Sequence, residues 1–385
     1  MDETIYCPKG AKDIPENRWT SGIPPRAEFV DREREKEKYP NQQNLINVHS
    51  RAVCQAEAEV GLGALNQRQF MNIKIIEPIG QSEPAIRSRL EDLLEKGGHR
   101  LFICDTRGMT DADLIHKVSD ADVLLLSNRP LSRAVIQACP NLKLICVAFA
   151  GIDHVDQDAC KARGIILHNA AGYAVHAVSE LTIALIITVL RQIVSADAAV
   201  RAGGDNREMI GHELFGKTLG VVGCGAIGLQ VARLGNAFGC RVLGFERHAR
   251  QIDDVPIEQV ELDDLLSRSD IVSLHLPLTA ETRGLIGREQ LARMKPSAIL
   301  INTARGPVVD QSALIEALHQ NRLAGAGIDV FDVEPPLPAK HPILRAPNTV
   351  LLPHIGFETV EALSAKADIA LHHLENFLSG RGLAS

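Results

Sequence analysis

From Met71 onward, short runs of continuous apolar residues alternate with stretches whose apolar positions recur every three or four residues. The runs NIKIIEP, RLFICD, ADVLLLS, LKLICVAFA and IILHNAAG read as buried strands, because a strand covered on both faces needs no polar alternation. Between them the spacing predicts helices near Pro84 to Lys96, from Asp111, and ending at Cys139. A long helical stretch follows from Ala174 to about Arg201. It leads into a second series: TLGVVGCG, a helix to Gly239, RVLGFE, DIVSLHLPL, AILINTARG, the helix QSALIEALHQN, and GAGIDVFD. Apolar strands separated by helices predict parallel sheet, because right-handed crossovers cover both faces. The expected class is α/β, with two doubly wound parallel sheets in one chain.

Residues 1–70 depart from this pattern. Only 13 of the 70 are Leu, Ile, Val or Phe, short of the roughly 20% that marks a foldable segment. The run DREREKEK from Asp31 to Lys38 alternates in sign, which suits a solvated helix or tail. The segment is expected to be a polar, poorly ordered N-terminal extension, with the folded body starting at Met71.

The chain has 385 residues, enough for two domains of about 150 residues and a spare segment. With 45% hydrophobic and 23% charged residues it has material for sizeable cores, so disorder of the whole chain is excluded. A net charge of −7 repels phosphate backbones and anionic lipids, and 4% aromatic residues are too few for a base-stacking platform. Neither nucleic acid nor membrane is an expected partner. The apolar stretch Leu181 to Leu190 is well short of the roughly 20 residues that span a bilayer. The opening MDETIYCPKG has neither the basic nor the apolar region of a signal peptide, so a cytoplasmic location is expected. The eight cysteines are scattered and form no Cys-x-x-Cys; they read as buried thiols, and no metal site is expected.

The segment TLGVVGCGAIGLQVARLGNAFG places Gly223, Gly225 and Gly228 in a G-x-G-x-x-G between a strand pattern and a helix pattern. Gly223 would permit a tight turn, Gly225 would let backbone N–H groups approach a pyrophosphate, and Gly228 would let helix and strand pack closely. Glu246 ends the next strand at the offset where an acid holds the ribose hydroxyls of the adenosine. NAD is the expected cofactor, since a carboxylate there repels a 2′-phosphate. NADP stays possible because Arg247, His248 and Arg250 follow at once.

Three later segments end strand patterns: INTARGPVVD with Arg305, GAGIDVFDVEPP with Asp329 and Glu334, and LLPHIG with His354. The carboxyl ends of strands are where open α/β sheets bind ligands. Hydride transfer to a ketone creates an alkoxide that needs a proton donor, and a substrate carboxylate suits a bidentate arginine. His354 and Arg305 match those tasks. Glu334, bonded to the far ring nitrogen of His354, would fix its tautomer and favour the imidazolium. The chain has 14 histidines, so spacing alone leaves the acid unassigned.

Taken together and in order, TLGVVGCGAIG, LHLPLTAETRGLIG, INTARG, GIDVFDVEP and LLPHIG resemble the signature blocks of the D-isomer-specific 2-hydroxyacid dehydrogenases. The resemblance covers nearly all of Met71 to Gly380. It implies Arg305, Glu334 and His354 as the catalytic set. It also implies that Asp329 and the backbone around Thr303 contact the nicotinamide side, that Ala226 and Ile227 lie under the pyrophosphate, and that Leu276 and Gly356 line the cofactor cleft. The loop Phe149 to Ile152, with Ala150 and Gly151, would offer backbone N–H groups to the substrate carboxylate. The implied topology is a flavodoxin-like substrate domain, residues 71–173 and 358–385, with an inserted Rossmann dinucleotide-binding domain, residues 174–357. The helix Val360 to Leu378 would return to the substrate domain. The implied activity is NAD-dependent interconversion of a small 2-oxo acid and the D-2-hydroxy acid, in a homodimer.

The sequence departs from that family in places. GDNREMIGHELFGKTLG lacks the tryptophan that relatives carry before the nucleotide domain, and the only tryptophan is Trp19. His176 stands where many relatives show a glutamate or another polar residue and reads as a helix-surface or interface histidine; Cys224 reads as a packing residue. Formate dehydrogenases share the fold but carry glutamine in place of the catalytic glutamate, so Glu334 counts against them. A short phosphoglycerate dehydrogenase and an NAD(H)-sensing binding protein of co-repressor type stay open as alternatives. Substrate preference depends on loop shapes around Asn128, Arg129 and Tyr173 that no spacing reveals.

Overall fold

The structure, a computed structural model, describes residues 70–207, 209–247 and 251–381. The reading of residues 1–69 as a polar extension, and any part played by His248 and Arg250, lie outside the described residues. The first series of elements is β1 (Asn72–Ile75), α1 (Glu83–Gly97), β2 (Arg100–Ile103), α2 (Asp111–Val118), β3 (Val123–Leu126), α3 (Arg133–Gln137), β4 (Leu144–Val147), α4 (Gln157–Ala162) and β5 (Ile166–Asn169). All five strands are parallel in the order β2-β1-β3-β4-β5, the flavodoxin-like order. The central strands β3, VLLL, and β4, LICV, are buried at every position. The edge strand β5 is partly exposed along its length. Continuous apolar runs in the centre and mixed ones at the edge are what helices on both faces require.

Two helices follow, α5 (Val175–Leu190) and α6 (Ile193–Arg201), and they meet at 61°. The single helix expected over 174–201 is therefore two. Gln192 takes a left-handed conformation at φ 50°, and the returning chain supplies the reason. The His212 N–H donates to the Leu190 carbonyl at 2.9 Å, and the Gln192 side chain donates to the Ile210 carbonyl at 3.2 Å. A chain segment about twenty residues downstream thus takes the carbonyl bond that a continuing helix would use. No single described helix is long and apolar enough to cross a membrane.

The second series is β6 (Thr218–Val222), α7 (Ala226–Ala237), β7 (Arg241–Phe245), β8 (Glu258–Gln259), α8 (Leu262–Arg268), β9 (Ile271–Leu274), α9 (Arg288–Arg293), β10 (Ile299–Asn302), α10 (Gln311–His319), β11 (Gly325–Ile328) and β12 (Thr349–Leu351). These strands form a parallel seven-stranded sheet in the order β12-β11-β10-β9-β6-β7-β8. Read from β6 as the first strand, this is the 3-2-1-4-5-6 order with one strand added, and the reversal point lies between β6 and β9. The fold is thus two doubly wound parallel-sheet domains, flavodoxin-like and Rossmann. The last helix, α11 (Val360–Leu378), packs on β4, β5 and α1. Arg89 of α1 pairs with Asp368 and Glu375 of α11, each at 2.7 Å, so α11 packs against the five-stranded sheet.

Candidate active site

The glycine loop sits between β6 and α7. Gly223 has φ 95°, and a Cβ there would lie 2.7 Å from the His275 carbonyl oxygen; at Gly228 a Cβ would lie 2.0 Å from the Gly223 carbonyl. Side chains at either position would push the loop off β9 or the helix off the loop. Gly225 begins α7 with no side-chain cap on the helix, and a Cβ built there meets nothing within 4 Å. The first N–H groups of α7, from Ala226 and Ile227, lie at the positive end of the helix dipole next to that open space, a cradle that fits a pyrophosphate. Glu246, half-buried at the end of β7, accepts the Cys224 N–H at 3.0 Å, so its carboxylate is held beside the loop. Arg247 lies 3.9 Å from Glu281. Leu276 packs against Gly223, and Cys224 is fully buried, in line with a packing role.

Arg305, His354 and Glu334 leave the same edge of the sheet. Arg305 follows β10; its Nε and Nη2 each lie 3.4 Å from Asp153 Oδ1, and its Nη1 donates to the Ala304 carbonyl at 2.8 Å. Asp153 belongs to the loop after β4, so this pair ties the two sheets together. Gly151 is pressed flat beneath the guanidinium: a Cβ there would lie 1.9 Å from Arg305 Nη2. Ala150, next to it, is exposed, and its carbonyl accepts from the Asn169 side chain at 2.6 Å.

His354 follows β12 with φ 59°, an unusual conformation for a residue with a side chain and one that surrounding structure must enforce. Asp329 enforces it. Its carboxylate, 1% exposed at the end of β11, accepts the Ile355 and Gly356 N–H groups at 2.8 Å each. Burial pushes this carboxyl above the usual carboxylate range, against the pull of those two donors. Asp329 thus bonds the backbone that carries His354. Glu334 Oε1 lies 3.3 Å from His354 Nδ1, the contact expected from the sequence. Thr303, nearly buried, shares a 3.0 Å hydroxyl contact with Thr182 of α5. His176 is exposed on the first turn of α5.

Sequence reasoning did not reach the side chains of Asp153, Phe357 and Glu77, and named Phe149 only as part of a loop offering backbone N–H groups. Asp153 carries no spacing signal. Phe149 and Phe357 set their rings edge-on to His354, with centroids at 6.2 and 5.5 Å. Glu77, buried just after β1, accepts the N–H groups of Ser127, Asn128 and Arg129 at 2.8 to 2.9 Å and fixes the loop after β3. Its place at the carboxyl end of a strand was the available signal.

A sequence model described as "D-isomer specific 2-hydroxyacid dehydrogenase, NAD binding domain" matches residues 183–356. A glyoxylate reductase of Thermofilum pendens is 42% identical over 277 residues, covering 70% of this chain and 81% of that protein. A D-3-phosphoglycerate dehydrogenase of Methanocaldococcus jannaschii is 37% identical over 313 residues, 80% of this chain but 55% of the relative. Among solved structures, D-lactate dehydrogenase from Aquifex aeolicus, complexed with NAD and lactic acid, is similar with a TM-score of 0.70 and 28% identity over 80% of this chain and 96% of that one.

Proposed function

The chain belongs to the D-isomer-specific 2-hydroxyacid dehydrogenases, an NAD-dependent oxidoreductase family, and from that premise we propose that it interconverts a small 2-oxo acid, of the size of glyoxylate or hydroxypyruvate, and the corresponding D-2-hydroxy acid, with His354 as acid and base. One observation carries the assignment of residues. The Phe149 ring lies within reach of both functional groups, 5.9 Å from Arg305 Cζ and 6.2 Å from the His354 ring, so an arginine and a histidine from loops after different strands converge on one ring.

The α7 N-terminus and Glu246 would hold the dinucleotide; bound, its nicotinamide supplies or accepts the hydride. Arg305 and the backbone at Ala150 and Gly151 hold the substrate carboxylate, and Arg305 polarises the carbonyl oxygen. His354 gives a proton to that oxygen as alkoxide character develops, and takes it back in the oxidative direction. Glu334 orients the imidazole through Nδ1, leaving Nε2 for the substrate. Asp329 keeps the loop in place. Mixing the protein with NADH and a panel of 2-oxo acids and following loss of absorbance tests the reading. No turnover with any of them sinks it and favours a nucleotide-sensing protein.

Residues 71–173 and 358–385 are proposed as the substrate domain and 174–357 as the nucleotide domain, in the cytoplasm. We propose a homodimer as well. Ile193, Val194 and Val200 of α6, with Ile210 and Phe215, are 45% to 84% exposed, an apolar surface of the kind that marks an interface. Light scattering should give twice the chain mass, and a single-chain mass rejects the pairing.

Glu246 sets the cofactor preference in this reading. Glu246→Ala removes the carboxylate that repels a 2′-phosphate, so the preference for NADH over NADPH should narrow about tenfold, the equivalent of ~1.4 kcal/mol. An unmodified enzyme that prefers NADPH defeats the assignment.

A further inference from the structure

We propose that the side chain of Phe149 forms the floor of the substrate pocket and restricts the substituent on the oxo carbon to small groups such as hydrogen, methyl or hydroxymethyl. The inference rests on the reduction of 2-oxo acids argued above and names which of them fit. Phe149 is the residue just before Ala150 and Gly151, where the carboxylate is placed. Its ring centroid is 5.9 Å from the Arg305 guanidinium carbon and 6.2 Å from the His354 ring. A carboxylate on the guanidinium and a carbonyl oxygen between guanidinium and imidazole put the oxo carbon over this ring. A ring offers the substrate no hydrogen bond, so what it sets is shape.

The wall is stiff. The Phe149 side chain is wedged edge-on against Phe357 at 5.0 Å and tilted against Tyr173 at 6.0 Å. Phe149 is 5% exposed and Tyr173 9%, and both belong to the core that holds Leu126, Ile145 and Val147. Close-packed interiors do not yield space cheaply, so the ring cannot swing aside for a branched or aromatic substituent. Three separate loops supply this wall: Phe149 after β4, Tyr173 before α5 and Phe357 after β12.

The test compares kcat/KM for glyoxylate, pyruvate, 4-methyl-2-oxopentanoate and phenylpyruvate in the unmodified protein, Phe149→Ala and Phe149→Leu, with NADH binding followed by fluorescence as the check that each variant is folded. The unmodified protein should favour the two small acids. Phe149→Ala should raise the ratio of 4-methyl-2-oxopentanoate to glyoxylate about tenfold or more, the scale on which pocket shape discriminates methylene groups. Phe149→Leu keeps most of the core volume and should give a smaller rise, which preserves the test if the alanine variant fails to fold. A purely structural role for the ring would lower all four substrates in parallel; an unchanged ratio with glyoxylate still turned over therefore overturns this inference alone. An unmodified protein that prefers the bulky acids overturns it too. Failure of the unmodified protein to reduce any of the four, or hydroxypyruvate run beside them, removes the parent reading and this one with it.

Discussion

His354→Ala should lower turnover by about 10²-fold or more, the usual worth of a positioned general acid, while NADH binding survives. The loop should outlast the substitution because its anchors are backbone groups: Asp329 holds the N–H of Ile355 and of Gly356, not the imidazole. Alanine adopts φ 59° less readily than histidine, but those two bonds hold the loop in that conformation. Stopped-flow turnover alongside fluorescence titration of NADH separates the two quantities. A variant with turnover within threefold of the unmodified enzyme removes His354 from the mechanism. Glu334→Gln refines the point, since it keeps the shape 3.3 Å from Nδ1 and removes the charge. An amide can turn its donor as well as its acceptor toward Nδ1 and so no longer fixes the ring as a carboxylate does, and oxo-acid turnover should fall about tenfold, the equivalent of ~1.4 kcal/mol. Turnover of Glu334→Gln within threefold of the unmodified enzyme would leave His354 as the acid and break its pairing with Glu334.

The strand ends that carry these residues were legible in the sequence because a doubly wound sheet gathers its loops at one edge, whereas the choice of His354 among 14 histidines came from the family resemblance. Gly223, Arg305, Asp329 and His354 each follow an apolar run that becomes a strand, and the structure places all four beyond the carboxyl ends of β6, β10, β11 and β12. The returning helix was legible too: Thr359 caps it through the Ala362 N–H, and its apolar positions repeat up to Leu378. What stayed hidden depends on chain segments far apart in sequence. The break at Gln192 follows from His212 reaching back to Leu190, and no glycine or proline announces it. The pairing of Arg305 with Asp153 spans 152 positions. Asp329 shows the same limit from the other side. The family resemblance implies a cofactor contact for it, and the folded chain adds that both its oxygens accept N–H groups from the next loop.

Arg305→Lys should reduce kcat/KM by roughly 10²- to 10³-fold, with KM raised and kcat lowered together, although the charge is kept. Counting donors gives the reason. Guanidinium has five N–H groups; Asp153 faces Nε and Nη2, and the Ala304 carbonyl takes one hydrogen of Nη1. One hydrogen on each terminal nitrogen is left, side by side, and a planar pair of donors matches a carboxylate or an adjoining carboxylate and carbonyl oxygen. Lysine presents a single point. It cannot face Asp153 and grip the substrate in that plane at once, and each charge-assisted bond lost is worth about 1.5 to 3 kcal/mol. Loss of ground-state grip appears in KM, and loss of carbonyl polarisation appears in kcat. The flat seat on Gly151, where a Cβ would come within 1.9 Å of Nη2, makes the arrangement specific to a planar group rather than to positive charge. Steady-state kinetics on a 2-oxo acid with saturating NADH reads both parameters. If Arg305→Lys stays within threefold in kcat/KM, a point charge is sufficient there, and the two-pronged hold on the substrate is wrong.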